Sequence, residues 1–268
     1  MAQHTIQGSF PKHTLPVYSN GLVWLRRLLP ILLGAVALGL WTWLTRDGGG
    51  FMRATPGEVL AAYGSMISSG ALLQHITTTL AEVALGYFMG VSLAFILGYG
   101  VSRVAVVEKL VLPYLVGLQA IPIVAVAPII ITYLGPGLFT NGLICALIVF
   151  FPMLITTNVA IRSIDHDKRE FMRLMSATWW QTFTKLEIPA ALPIIFGGLK
   201  VSTTLAVIGA VVGEGVSAEH GLGYLVYYSR YVFNQSSVMV GLFTLMIVAY
   251  GLYWLVAQIE RYSLRWQR

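Results

Sequence analysis

The chain has 268 residues, 57% of them hydrophobic and 10% charged, and its mean hydropathy is +0.76. Soluble domains carry about 25% charged residues, so this composition excludes a water-soluble globular fold and points to an all-α, polytopic membrane protein. The net charge of +6 does not indicate a nucleic-acid binder, because the basic residues sit at the ends of apolar runs and form no phosphate-tracking stripe. Cys145, the one cysteine, lies inside an apolar run and reads as a small buried hydrophobe.

In chain order, residues 1–21 are polar and contain Pro11 and Pro16, as expected of a cytosolic N-terminal tail. No small-residue cleavage site follows the first apolar run, so 22–44 reads as an uncleaved first span, with Trp24, Trp41 and Trp43 at interfacial depth. Arg46-Asp47-Gly48-Gly49-Gly50 ends it. The piece 59–67, opened by Thr55-Pro56-Gly57-Glu58, is too short and mixed to cross a bilayer. Five further spans are expected at 72–101, 110–134, 138–161, 192–216 and 238–259, six transmembrane helices in all. The third is interrupted by Pro113, Pro122 and Pro128, and Gly135-Pro136-Gly137 turns the chain into the fourth. Residues 217–235 read as a polar outer loop in which Tyr224, Tyr227, Tyr228 and Tyr231 suit an interfacial belt or a contact with a partner. A basic tail, 261–268, closes the chain.

Counting Lys and Arg orients the spans. One side holds Lys12, Arg26, Arg27, Arg103, Lys109, Arg162, Lys168, Arg169, Arg173, Lys185, Lys200, Arg261, Arg265 and Arg268, and the other only Arg46, Arg53 and Arg230. Both termini and the segment 162–193 are therefore expected to be cytosolic.

That segment is too charged to span and too apolar for a solvated loop. Asp167-x-x-Glu170 has capping-box form, followed by an apolar stripe of Phe171, Leu174 and Met175. Thr178-x-x-Gln181 repeats the signal, with Trp179, Phe183 and Leu186 as the second greasy face. Pro189 lacks an amide hydrogen and restricts Ile188, so the second helix is expected to stop or kink there. The expectation is two short amphipathic helices joined at Met175-Ser176-Ala177. Their exposed apolar faces suit a partner, and a partnerless amphipathic loop lying on the membrane surface is the blander alternative.

No Gly-x4-Gly-Lys-Ser/Thr loop is present, so no nucleotide-hydrolysing site is expected on this chain. The five histidines show no HxxxH or HExxH spacing, and no metal site is expected. Lys200 is expected to snorkel. Glu82 is expected to face water at the outer surface, and Glu214 to bond a helix end or a gate. Gln119, Pro122 and Glu214 are candidates for a translocation path, since prolines in spans free carbonyls that need a partner.

Glu170-Phe171-Met172, Ser176 and Leu186-x-Ile188-Pro189 resemble the EAA loop of binding-protein-dependent ABC importer permeases. Thr55-Pro56-Gly57-Glu58, Gln119-Ala120-Ile121-Pro122, Gly213-Glu214 and Gly221-Leu222-Gly223 extend the likeness over about 55–260. Within the superfamily the chain is most similar to the nitrate/sulfonate/taurine group, and especially to its hydroxymethylpyrimidine/riboflavin branch. The resemblance implies a type I (MetI-like) importer core with a cytosolic two-helix coupling loop. It implies a second permease copy, cytosolic ATPase subunits carrying ATP and Mg, an extracytoplasmic solute-binding protein, and a bacterial inner-membrane location. It assigns ATPase coupling to Asp167, Glu170, Phe171, Met172, Met175, Ser176, Ala177, Trp179, Leu186 and Pro189. Ser176 stands where the family has glycine, which argues against a left-handed turn. An ion-coupled secondary transporter and a non-transporting scaffold subunit are the alternatives.

Overall fold

The computed structural model describes residues 20–45 and 54–265. Most of the N-terminal tail, the Arg46–Gly50 turn, Arg53 and the last three residues of the basic tail lie outside the described residues. The chain divides into two units, 1–56 and 57–268. The first contains α1 (Asn20–Thr45), whose Trp41 indole donates to the Ala54 carbonyl at 3.1 Å. Its apolar side chains from Leu32 to Trp43 point outward, as a lipid-facing helix requires.

The second unit begins with α2 (Pro56–Ser68) and is built around α3 (Ala71–Arg103), α6 (Leu138–Arg162) and α9 (Ile188–Ser217). Small residues recur every four positions along α3, at Gly86, Gly90, Ala94 and Gly98, and this stripe lets α6 lie against the α3 backbone. A Cβ on Gly86 would sit 2.2 Å from the Cys145 Cβ and 2.4 Å from the Gly142 carbonyl, and one on Gly90 would meet the Ala146 carbonyl at 2.7 Å. Gly209 of α9 closes on the other side of Cys145, where an added Cβ would fall 2.7 Å from the Cys145 Cα. Cys145 is therefore wedged between two glycines and fully buried, with Ile144, Val149 and Met153 continuing the core. The register of these contacts makes α3 and α6 parallel and α9 antiparallel to both. One end of the bundle thus carries Arg103, Arg162 and the start of α9, and the other carries Glu82, Asn141 and Glu214.

The expected third span is two helices, α4 (Ala105–Gln119) and α5 (Ile123–Leu134), bent by 86°. Of its three prolines only Pro122 breaks the helix. Pro113 and Pro128 stay inside their helices, while Pro122 forces Ile121 out of helical conformation. Among the described residues, four helices are long and apolar enough to cross a membrane, five if the bent pair is one span. The remaining expected span, the first, falls on α1, of which 32–45 is a shorter apolar stretch.

A helix absent from the sequence reading, α10 (Leu222–Tyr231), occupies the expected outer loop and buries Leu222, Leu225 and Ser229. The last helix, α11 (Gln235–Ser263), packs on α9. Lys200 does not simply snorkel: its ammonium pairs with Glu260 of α11 at 2.7 Å.

Candidate functional site

At the Arg103 end the chain leaves α6 and forms α7 (His166–Leu174) and α8 (Trp179–Thr182). The cap of α7 is Asp165, whose Oδ1 accepts from the Asp167 amide at 3.1 Å, so Asp167 lies in the first turn rather than at the cap. Glu170 makes no capping box and faces His166 at 3.9 Å. Where α7 ends, the Ala177 amide donates to the Met172 carbonyl and the Ser176 amide to that of Arg173, which is a Schellman closure. That closure needs a left-handed residue, and Ser176 takes the position with φ +52° despite its side chain. The expectation drawn from the missing glycine is corrected, because two backbone bonds outweigh the cost of a left-handed non-glycine residue. Ser176→Gly should remove that cost of about 1 kcal/mol and slow exchange of the Ala177 amide by about fivefold. Unchanged protection would contradict the assignment.

Thr178 and Gln181 form a full capping box: Thr178 Oγ1 accepts from the Gln181 amide at 3.3 Å, and Gln181 Oε1 from the Thr178 amide at 2.8 Å. The second helix does not stop at Pro189. A π-turn spans Phe183–Glu187, with the Ile188 amide reaching back to the Phe183 carbonyl. The wider turn accommodates a residue that can neither donate nor tolerate a close carbonyl one turn back. Helix therefore runs unbroken from Trp179 to Ser217, 39 residues.

Five large apolar side chains remain open on this element: Phe171, Leu174, Met175, Trp179 and Trp180, with Leu174 79% exposed. The Trp179 ring stacks on Phe183 at 5.6 Å, and Phe183 meets Tyr99 of α3 edge-on at 5.1 Å. Asp167, Glu170 and Ser176 are exposed, whereas Met172, Ala177 and Pro189 are half-buried. Leu186 turns inward against the bundle core and belongs to packing. Glu187, missed in the sequence, is fully buried here and pairs with Arg103 at 2.9 Å. An acid flanked by Leu186 and Ile188 was the only available signal.

The opposite end is closed by a buried polar cluster. Glu82 is 2% exposed, so it does not face water; its Oε1 accepts from Asn141 Nδ2 at 2.8 Å. Thr79 donates to Glu214 Oε1 at 2.6 Å while accepting from the Leu222 amide at 2.8 Å, and the Gly223 amide donates to Glu214 Oε2. These bonds explain the Gly221-Leu222-Gly223 run. Gly221 has φ +122°, and a Cβ there would fall 2.2 Å from the Glu214 carboxyl carbon. Thr79→Val, nearly isosteric, would strip a donor from Glu214 and an acceptor from Leu222. The expected loss is about 2 kcal/mol, read as thermal unfolding in detergent, and an unchanged transition would contradict it.

Gln119 and Pro122 come together at the α4–α5 bend, where they line a cavity of about 370 Å3 with Phe151, Leu205, Ile208 and Val212. Glu214 is not among its walls and belongs to the polar cluster.

A bundle of apolar helices packed on small residues, with an apolar-faced element at one end, marks an integral membrane protein. Residues 86–262 match the family described as binding-protein-dependent transport system inner membrane component, and the chain belongs to that family: it is a permease subunit of an ABC transporter. It is 38% identical over 217 residues to the riboflavin transport system permease of Chloroflexus aurantiacus, covering 81% of each chain. It is 30% identical to the formylaminopyrimidine transport permease of Halalkalibacterium halodurans, over 75% of this chain and 81% of the relative. A putative aliphatic sulfonates permease of Bacillus subtilis is also 30% identical, over 88% and 87% of the two chains. An inward-facing methionine ABC transporter shares the fold, with TM-score 0.62 at 20% identity over 72% of this chain and 98% of that one.

Proposed function

We propose that the chain is the membrane half of an ATP-driven importer, working as a homodimer with two cytosolic ATPase subunits and an extracytoplasmic solute-binding protein. The observation that carries this reading is the exposed apolar crown of Phe171, Leu174, Met175, Trp179 and Trp180, of which Trp179 and Trp180 open a helix that continues into a span without a break. A partner gripping Trp179 and Trp180 would move that span directly. ATP and Mg would belong to the ATPase, and this chain would contribute no catalytic residue. The Lys/Arg asymmetry puts the crown and both termini in the cytosol. With α1 as the first, six spans cross the inner membrane, and 55–260 forms the transport core. Gln119 and Pro122 would line the path, while the Glu82–Asn141–Glu214 cluster would seal its outer end.

For the cargo, the names of the relatives favour a small heterocyclic vitamin precursor of the pyrimidine or flavin type, with a sulfonate-like anion next. The test is uptake by proteoliposomes holding the permease, its ATPase and its binding protein. Uptake should require internal ATP and the binding protein, and should be competed by the pyrimidine or flavin compound. Uptake that persists without ATP and collapses with an uncoupler would identify an ion-coupled carrier instead, and no flux at all a scaffold.

A further inference from the structure

The proposed coupling element has a mechanical weakness. The nine residues of α7 bury none of their side chains, and non-helical links at 163–165 and 175–178 separate α7 from α6 and α8. A push on α7 would be lost in those links unless something else ties it to the bundle.

Glu187 supplies the tie. Its side chain is 0% exposed and sits in the π-turn that opens α9. Oε2 accepts from the Tyr99 hydroxyl at 2.9 Å and from Arg103 Nη2 at 2.9 Å, both in the last turns of α3. Facing Oε1 is Arg169 of α7, with Nη1 at 4.0 Å, and the same guanidinium donates through Nη2 to the Ile161 carbonyl at the end of α6. The 4.0 Å approach is an ion pair and not a hydrogen bond, and neither Glu187 Oε1 nor Arg169 Nε has a hydrogen-bond partner. One desolvated carboxylate between two guanidiniums therefore joins the ends of α3 and α6, the start of α9, and α7. Removing either guanidinium leaves the fully buried Glu187 carboxylate with less compensation, so the set resists partial opening.

We propose that Glu187 is the positioning residue that makes α7 and the spans move as one body, delivering force on the crown through Arg169 and Arg103 to α9 and α3. This rests on the coupling reading above. A span that receives the push at two points, through the helix backbone and through the ion pair, swings as a lever instead of flexing at the π-turn.

The test uses the complete importer in proteoliposomes, with Glu187→Gln, Arg169→Gln and the conservative Arg169→Lys. Three quantities are read: ATPase retained by the purified complex, ATP hydrolysed, and solute imported. Both Gln variants should keep their ATPase and their hydrolysis while uptake falls about tenfold, so that ATP spent per solute rises by that factor. Arg169→Lys keeps a cation and should restore most of the ratio. Should Glu187→Gln fold poorly, Arg169→Gln probes the same tie from its partly exposed side, and the double variant removes the stranded charge. A purely structural role would lower the yield of complex but leave ATP per solute unchanged in what assembles, and that result overturns the proposal. Wild-type uptake that ignores ATP would instead sink the coupling reading itself, and is distinguishable because it needs no variant.

Discussion

Gly86→Leu is expected to destroy the folded bundle, while Gly100→Leu on the same helix leaves it intact. At Gly86 even a Cβ would lie 2.2 Å from Cys145 and 2.4 Å from the Gly142 carbonyl. The second of these is backbone, which cannot rotate away. Helix α6 is held on its other flank by Gly209, packed so closely that even a Cβ there would fall 2.7 Å from the Cys145 Cα, so α6 cannot back off without disturbing α9. The loss should be about 3 kcal/mol or more, seen as aggregation or a collapsed thermal transition in detergent. Around Gly100 nothing lies within 4 Å of the added carbon, and its side chain would meet lipid. Equal behaviour of the two variants would mean that α3 and α6 are not packed as described.

Phe171→Asp and Trp179→Asp should each detach the ATPase from a permease that still folds. Both side chains are open, 60% and 57% exposed, so a charge there costs the isolated chain little. In a complex it would be desolvated against an apolar contact. Apolar anchors at the centre of an interface are worth about 2 kcal/mol or more, roughly a thirtyfold loss of affinity. Co-purification of the ATPase should fall accordingly and uptake with it, while the thermal transition of the permease stays put. Met172 is a poorer place for this substitution, because the structure half-buries it and instability would confuse the result.

Local signals carried much of this fold, and the failures share a cause. The apolar runs located α3, α6, α9 and α11, because 20 or more apolar residues admit few other fates in a bilayer. The Thr178–Gln181 box was legible because both partners lie within one turn. Asp165 and Asp167 are two residues apart and equally good caps by type, and the choice depends on where α6 releases the chain. Pro189 suggests a stop or a kink, and the structure makes neither a stop nor a plain α-helix: a π-turn, a backbone adjustment with no residue signature, precedes it. Glu187 and Glu82 were invisible as buried groups because their partners are distant in sequence. Arg103 lies 84 residues from Glu187, and Asn141 59 from Glu82. Charge in an apolar stretch announces a partner without naming it. Much of the apolar crown is legible as two stripes at helical spacing, but Trp180 lies off them, and Phe183 and Leu186, on the same pattern, pack against the bundle.

The central claim, that α7 and α8 present a cytosolic grip for an ATPase, is tested most directly by labelling a single new thiol. Leu174→Cys places it at the most exposed position of the crown, and the native Cys145 is fully buried and adds little background. With a membrane-impermeant maleimide, inside-out vesicles should label readily without the ATPase and be protected once it is bound, while right-side-out vesicles stay unlabelled. Labelling from the outside, or at one rate with and without the ATPase, would contradict the account.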